Sequence, residues 1–190
     1  MSSRDSILEN IRKNKPDPVT LPDVPSFTTP GLNLLNRFVE TAQKNGSTII
    51  TNKKDLDQWI KLQHPGTRRI LSLVQGYEGN IYPDPDLKPK DLKHIDLAIV
   101  NSPLGVAENG AIWLSETDCQ WRILPFIAEH LLVFLDRNNL VSNMHDAYAK
   151  IRIDQEGFGV FVGGPSKTAD IEQALVIGAQ GSRSHTIFLW

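Results

Sequence analysis

The amino-acid sequence contains a single cysteine and no long apolar run among its 190 residues. Because Cys119 has no second thiol to pair with, an internal disulfide and a cysteine-rich zinc site are both excluded. This cysteine lies in an acidic stretch without a partner base, so we expect a structural, unreactive thiol. The five histidines are scattered rather than spaced as metal ligands on a helix, and no metal site is expected.

The chain also lacks the features of membrane-spanning, exported and nucleic-acid-binding proteins. No apolar run reaches the roughly 18 to 20 residues needed to cross a membrane. The first thirty residues contain no apolar signal-peptide core. Twenty basic side chains against twenty-two acidic ones give a formal net charge of -2, with no basic block to neutralise a run of phosphates. We therefore expect a cytoplasmic protein that binds no nucleic acid.

Two regions of different composition divide the chain. Residues 1–30 combine a short helix, with Ile7, Leu8 and Ile11 on one face, and a proline-rich arm over residues 14–30. Residues 31–190 are expected to form one α/β domain. The N-terminal helix needs an apolar surface to pack on. The sequence allows two: the α/β domain of the same chain and a neighbouring subunit of a homo-oligomer.

Strands and helices alternate through the second region. The predicted helices are 34–45, Asp55–Leu62, Asn143–Ile151 and Thr168–Ile177. The predicted strands are Ser47–Thr51, Arg69–Val74, Asp96–Val100, Ala111–Ser115, His130–Leu135, Phe158–Val162 and Thr186–Trp190. This order predicts a mostly parallel sheet flanked by helices, with ligands bound beyond the carboxyl ends of the strands.

The strongest local motif is the segment GGPSKTADIE, placed where a buried strand is expected to lead into the helix 168–177. Glycines let the backbone approach a ligand, and the first amides of a helix favour an anion. The segment matches neither the Walker loop nor the dinucleotide fingerprint. The candidate ligand-binding residues are Gly164, Pro165, Ser166, Lys167, Thr168, Asp170 and Glu172. The alternative is that Ser166 or Thr168 merely caps the helix.

A second motif, Glu108-Asn109-Gly110, lies between two expected strands. Small neighbours leave the Glu108 carboxylate open to a substrate, for which it would be a base or nucleophile. Asn109 and Gly110 are candidate ligand contacts. The alternative makes Asn-Gly a hairpin turn and Glu108 a solvated loop residue.

The third motif joins the last helix to the last strand. Its candidate ligand-binding residues are Gly181, Arg183 and His185. Arginine binds carboxylates and phosphates through two parallel hydrogen bonds. Arg183 would bind the ligand in this way if the loop folds toward the first glycine turn.

Five segments in order resemble the lactate-utilisation C family, whose members carry a single LUD domain. The segments are ILENIR (7–12), GVAENGAIWLS (105–115), ILPFIAEHLLVF (123–134), GGPSKTADIEQALVIGAQG (163–181) and SHTIFL (184–189). The stretch GPSxTADIE is the most specific among them. The resemblance implies a fold like that of ribose-5-phosphate isomerase, glucosamine-6-phosphate deaminase and the CoA transferases.

The same resemblance implies a role in oxidising L-lactate to pyruvate, as an accessory partner of two iron-sulfur subunits. The chain would bind a small anionic ligand, and it lacks the cysteines to hold a cluster itself. No cofactor of its own is indicated. Because Glu108-Asn109-Gly110 is similar to the glutamate motif of class I CoA transferases, the alternative is a stand-alone enzyme acting on a sugar phosphate, folate or acyl-CoA.

Overall fold

The computed structural model describes residues 2–17, 19–20, 22–23, 25–27, 30–63, 69–84, 86–171 and 174–190. The helices are α1 (Ser3–Lys13), α2 (Leu34–Lys44), α3 (Lys53–Gln63), α4 (Glu116–Cys119), α5 (Leu124–Ile127), α6 (Met144–Lys150) and α7 (Ile153–Glu156), with 3-10 turns at Pro89–Asp91 and Arg137–Asn139. The strands are β1 (Thr48–Ile50), β2 (Ile70–Ser72), β3 (Leu97–Ser102), β4 (Leu104–Val106), β5 (Ala111–Ser115), β6 (His130–Leu135), β7 (Leu140–Val141), β8 (Gly159–Val162), β9 (Lys167–Ile171), β10 (Ala174–Ile177) and β11 (Ser184–Leu189).

A five-stranded sheet in the order β1-β11-β6-β3-β2 forms the centre of the fold, and every neighbouring pair in it is parallel. The predicted α/β class with a mostly parallel sheet is therefore confirmed. Its central strand β6 is apolar in every position after His130, as expected for a strand that is buried on both faces. The strand β6 pairs along its full length with β3 and with β11.

The alternation of side chains along β6 separates two cores. Leu131, Val133 and Leu135 point to the side where α2 packs, in a cluster with Phe38 and Ala42 of that helix. Leu132 and Phe134 point to the opposite side, where Leu56 of α3 completes the second cluster. Helices on both faces thus bury the sheet, as the sequence predicted.

A smaller sheet in the order β7-β4-β5-β8 follows directly from β3. The chain turns out of β3 at Ser102, whose hydroxyl donates to the carbonyls of Leu104 and Trp113 and so fixes the turn. The strands β4 and β5 form an antiparallel hairpin. Sequence reasoning predicted β5 and β8 but missed β4 and β7, because strands of two or three residues are too short to show alternation.

The predicted helix Thr168–Ile177 is wrong. Its residues form β9 and β10, an antiparallel pair in which Thr168 lies opposite Val176 and Lys167 opposite Ile177. The run Ala-Leu-Val-Ile is short, β-branched and closed by Gly178, features that fit a strand as well as a helix. Among the described residues, the Gly163-Gly164 turn is therefore followed by strands and not by a helix whose first amides could attract an anion.

The N-terminal helix forms as predicted. Ser2 and Asp5 make a reciprocal capping box at its start, and none of its residues is buried. In the arm that follows, the Phe27 ring stacks on His145 with ring centroids 4.8 Å apart. The division of the chain at residue 30 stays a prediction. None of the described helices is long and apolar enough to cross a membrane.

Candidate functional site

A cavity of about 600 Å³ opens beside Glu108, between the β4–β5 turn, α2 and the start of α6. Most of its lining residues have polar side chains. They are Asn33 at the N-cap of α2, the α2 residues Asn36, Arg37 and Glu40, Ser142 and Asn143 before α6, and Glu108, together with the apolar Phe27 and Leu32.

The Glu108 carboxylate reaches this cavity from a hairpin turn. Gly110 adopts a positive φ of 69°, and the Asn109 side chain accepts a hydrogen bond from the Ala111 amide at 3.0 Å. The hairpin-turn interpretation of Asn109-Gly110 is therefore confirmed. Glu108 is exposed, and its Oε2 accepts a hydrogen bond from the Met144 amide at 3.0 Å. The carboxylate is thus held in place at the first turn of α6.

The turn is tied to α2 by its backbone. Thr41 Oγ1 donates to the Ala107 carbonyl at 3.0 Å, and Asn45 Nδ2 donates to the Asn109 carbonyl at 2.6 Å. Gly110 lies so close to the Thr41–Ala42 backbone that a side-chain carbon there would overlap it. Asn109 and Gly110 therefore position the turn, while Glu108 is the residue of the three that lines the cavity.

Arg37 is the only cation among the described residues that line this cavity. Its guanidinium lies 3.6 Å from the Glu40 carboxylate and its side chain is 41% exposed. A solvated pair of this kind contributes little to stability, so the guanidinium can exchange partners at low cost. An incoming carboxylate is a suitable replacement because it accepts two parallel N–H donors.

Asn143 adds a buried donor to the same wall. Its Oδ1 accepts from the Asp146 amide at 3.0 Å and so caps α6. Its Nδ2 is buried and has no hydrogen-bond partner among the described residues, although the residue is only 5% exposed. An unpaired buried donor is costly unless a ligand or water satisfies it. Neither Arg37 nor Asn143 was identified from the sequence, where each has the pattern of an ordinary helix residue or cap.

The Gly164–Lys167 turn lies elsewhere, at the end of the sheet where β1 and β11 begin. The Ser166 amide donates to the Ser182 carbonyl at 2.8 Å. The Lys167 ammonium donates to the Asn45 carbonyl at the end of α2. A side-chain carbon on Gly164, which has a φ of 116°, would lie 2.5 Å from that same carbonyl oxygen. The Ser166 amide and the Lys167 ammonium are thus engaged by protein carbonyls.

The remaining residues of the first motif give little support to a ligand site. Pro165 packs over Gly46 at ordinary contact distance. Thr168 and Asp170 belong to β9, and Glu172 lies outside the described residues.

The residues of the third motif also contact other parts of the chain. Gly181 adopts a φ of 155° and packs on Ser166. Arg183 forms an ion pair with Glu129, with 2.6 Å between nitrogen and oxygen. His185 is 1% exposed, and its Nδ1 lies 2.9 Å from Ser47 Oγ. Burial lowers the pKa of His185 to about 4, so this imidazole is neutral at pH 7 and carries no charge to attract an anion.

All three motifs therefore meet around the end of α2. The Asn45 carbonyl accepts a hydrogen bond from the Lys167 ammonium, and the Asn45 side chain donates to the Asn109 carbonyl. The Ser166 amide donates to the Ser182 carbonyl. The contacts fasten three segments of the fold to one another. Ligand binding by these residues stays a prediction, and Glu108 is the one among them that lines the 600 Å³ cavity.

Cys119, the last residue of α4, is buried in the main core. Burial raises the pKa of its thiol to about 12, with a smaller contribution from Asp118. The thiol is therefore protonated and unreactive at neutral pH, in agreement with its interpretation as structural.

A parallel sheet with helices on both faces, and a cavity beside a fixed carboxylate, define an α/β protein with a candidate ligand site. The chain belongs to the LUD domain family, whose model matches residues 33–190.

Curated relatives support this assignment. The chain is 34% identical over 90 residues to Lactate utilization protein C of Bacillus pumilus, a match that covers 44% of this chain and 38% of the relative. It is 31% identical over 91 residues to Lactate utilization protein C of Shouchella clausii, covering 45% and 40% respectively. The matched part of each relative is thus about two fifths of its length.

A solved structure has the same fold. A DUF162 family protein from Deinococcus radiodurans superposes with a TM-score of 0.59 at 14% identity, covering 82% of this chain and 95% of the other. At this identity the comparison supports the architecture alone.

Proposed function

We propose that this chain is an accessory subunit of an L-lactate oxidation system. The observation that carries the proposal is its similarity to Lactate utilization protein C of several bacteria, within a LUD domain that extends over residues 33–190. Oxidation of lactate to pyruvate releases two electrons. Iron-sulfur subunits that accept these electrons are its proposed partners, as the resemblance to the lactate-utilisation C family implies. This chain has one cysteine, buried and protonated, which is too few to hold a cluster itself.

The small anionic ligand of this subunit is proposed to occupy the cavity beside Glu108. The GPSK turn is less suitable, because its lysine and the Ser166 amide already donate to protein carbonyls. In the cavity, Arg37 supplies donors for a carboxylate. Glu108 accepts hydrogen bonds and suits a hydroxyl group close to that carboxylate. This combination favours a 2-hydroxycarboxylate such as L-lactate.

Growth and copurification test the subunit role. Deleting the gene for this chain from its native cell should abolish or slow growth on L-lactate while leaving growth on glucose unchanged. A tagged copy should restore growth and bring down iron-sulfur subunits. Normal growth of the deletion strain on L-lactate, together with a tagged chain that purifies alone, would contradict the role.

A second candidate function is a stand-alone enzyme acting on a sugar phosphate, folate or acyl-CoA. It is favoured by the exposed Glu108 carboxylate, which small residues flank and a backbone amide orients. Such a group would be the base or nucleophile of the reaction. The near-isosteric substitution Glu108→Gln should then abolish turnover of any substrate found, and unchanged turnover in that variant would remove the catalytic role.

A further inference from the structure

The cavity beside Glu108 is longer than L-lactate. Its lining includes Asn33, at the N-cap of α2, and Glu40, seven residues further along, a separation of about 10 Å along the helix axis. L-Lactate, whose only apolar group is a methyl, spans about half of that length. The cavity volume of about 600 Å³ lies within the range of roughly 300 to 1,000 Å³ that is typical of sites for larger organic ligands. L-Lactate alone would therefore leave part of the cavity unfilled.

The charged end of the cavity lies toward the C-terminal half of α2. The β4–β5 turn is hydrogen-bonded there, because Thr41 Oγ1 donates to the Ala107 carbonyl at 3.0 Å. Glu108 follows Ala107 directly and so enters the cavity from this end. Arg37 lines the cavity one helix turn before Thr41. The carboxylate and the guanidinium thus belong to the same part of the site.

The other end of the cavity is apolar. Phe27 and Leu32 are the only apolar residues that line it within the described part of the chain, and both precede α2. Each keeps exposed surface, 55% for Phe27 and 38% for Leu32. Apolar side chains that remain exposed in a cavity wall stabilise a complex when an apolar group of the ligand covers them.

His145 holds the Phe27 ring at the cavity. The two rings are stacked, with centroids 4.8 Å apart and an interplanar angle of 25°. His145 follows Met144, whose amide donates to the Glu108 carboxylate. The contacts that position the aromatic ring and the carboxylate therefore come from adjacent residues of α6, and one ligand of modest size can touch both groups.

We propose that the preferred ligand of this cavity is a 2-hydroxycarboxylate whose substituent is an apolar or aromatic group larger than a methyl, and that Phe27 determines this preference. The carbon that carries the hydroxyl in such an acid bears three different groups. The cavity offers a partner for each: Arg37 for the carboxylate, Glu108 for the hydroxyl and Phe27 for the substituent. The inference rests on the proposed function, because it takes the Glu108 cavity as the ligand site.

The test compares three probes by isothermal titration calorimetry on the full chain: L-lactate, L-3-phenyllactate and 3-phenylpropionate. L-3-Phenyllactate should bind at least about tenfold more tightly than L-lactate, because its ring covers Phe27 and Leu32. 3-Phenylpropionate lacks only the hydroxyl and should bind at least about tenfold more weakly than L-3-phenyllactate, because Glu108 then has no donor to accept from. Equal affinity of the two phenyl acids would mean adhesion to an apolar surface only and would overturn the proposal.

Paired variants locate the preference. Phe27→Ala should weaken L-3-phenyllactate binding about fivefold or more and change L-lactate binding by less than about twofold. Phe126→Ala is the matched control, because that ring is 44% exposed and belongs to α5, outside the lining of the cavity. It should change neither affinity. Unchanged L-3-phenyllactate binding in Phe27→Ala would overturn the role of Phe27.

Arg37→Met separates the failure of this inference from the failure of the proposed ligand site. If L-lactate and L-3-phenyllactate bind equally well and both lose affinity in Arg37→Met, the Glu108 cavity is the ligand site and the inference about the substituent is wrong. If neither acid binds up to about 10 mM, or if Arg37→Met leaves both affinities unchanged, the cavity is not the ligand site and both proposals are overturned.

Discussion

Glu108 and Met144 are joined by a hydrogen bond of 3.0 Å, in which the backbone amide at the first residue of α6 donates to the Glu108 carboxylate. This contact links the β4–β5 turn to a helix that lies 36 residues further along the chain. It also fixes the one carboxylate of the predicted site that lines a cavity. The Glu108 side chain thus contributes both to stability and to the proposed site, and substitutions at this position measure the two contributions separately.

The substitution Glu108→Ala should lower the free energy of unfolding by about 1 kcal/mol, because an N-terminal amide of α6 loses its acceptor. Glu108→Gln should lose much less, since the side-chain amide oxygen can still accept. Urea unfolding of the two variants measures the difference. Equal stability of Ala and Gln variants would show that the hydrogen bond does not contribute.

The substitution Arg37→Met should weaken L-lactate binding by about tenfold to a hundredfold, because the proposed partner of the carboxylate is removed. Stability should change little, since the only ion pair lost is solvent-exposed. Isothermal titration calorimetry measures the affinity. Arg4→Met on α1 is the matched control, and an Arg37→Met variant that binds as tightly as the control would exclude Arg37 from the site.

Gly164→Ala should destabilise the chain far more than Gly31→Ala. Both glycines have positive φ, 116° and 76°, and each substitution costs about 1 kcal/mol on that account. Only at Gly164 does the new carbon lie 2.5 Å from the Asn45 carbonyl oxygen, whereas Gly31 has open space around it. We expect a loss of about 3 kcal/mol or more at Gly164. Similar losses in chemical denaturation would mean that the turn is not packed on α2.

The buried His185 should make stability fall as the pH falls from 7 to 5. Its folded-state pKa, about 4, lies below the ordinary 6.5, so the unfolded chain takes up a proton in this range and the folded chain does not. The expected loss of unfolding free energy between pH 7 and pH 5 is about 2 kcal/mol. Stability continues to fall at lower pH until His185 is protonated in the folded chain as well, below about pH 4. His130, whose pKa burial also lowers, contributes in the same direction.

The variant His185→Gln isolates the contribution of that imidazole. It keeps a hydrogen-bonding group near Ser47 but does not titrate, so its stability should depend less steeply on pH between 7 and 5. An identical slope in the variant and the parent chain would assign the pH dependence to other groups.

The architecture was predictable where apolar patterns are long. The run His130–Leu135 is apolar enough to be buried on both faces, and the helix 34–45 has a clear start and stop. The pattern failed at 168–177, where a short apolar run fits either type of element. The wrong helix at 168–177 did not affect the family resemblance, because the resemblance depends on residue identity and not on secondary structure.

The candidate site was predictable only in part. Glu108 stood out because a carboxylate among small residues is unusual, and the structure places it at the lining of a cavity, while its role stays a prediction. Arg37 and Asn143 come from distant elements, and only the packing of α2 and α6 against the same turn brings them together. Lys167 and His185 are residue types that suggest an anion site. In the structure, however, Lys167 donates to the Asn45 carbonyl, and burial keeps His185 neutral.

The most direct test of the central claim is the location of L-lactate on the ¹⁵N-labelled chain by two-dimensional NMR. The account predicts saturable shifts of the Arg37 and Ser142 amides, whose residues line the Glu108 cavity, and of the Met144 amide, which donates to Glu108. Shifts confined to the Gly164–Lys167 turn, or none at all up to about 10 mM L-lactate, would contradict it.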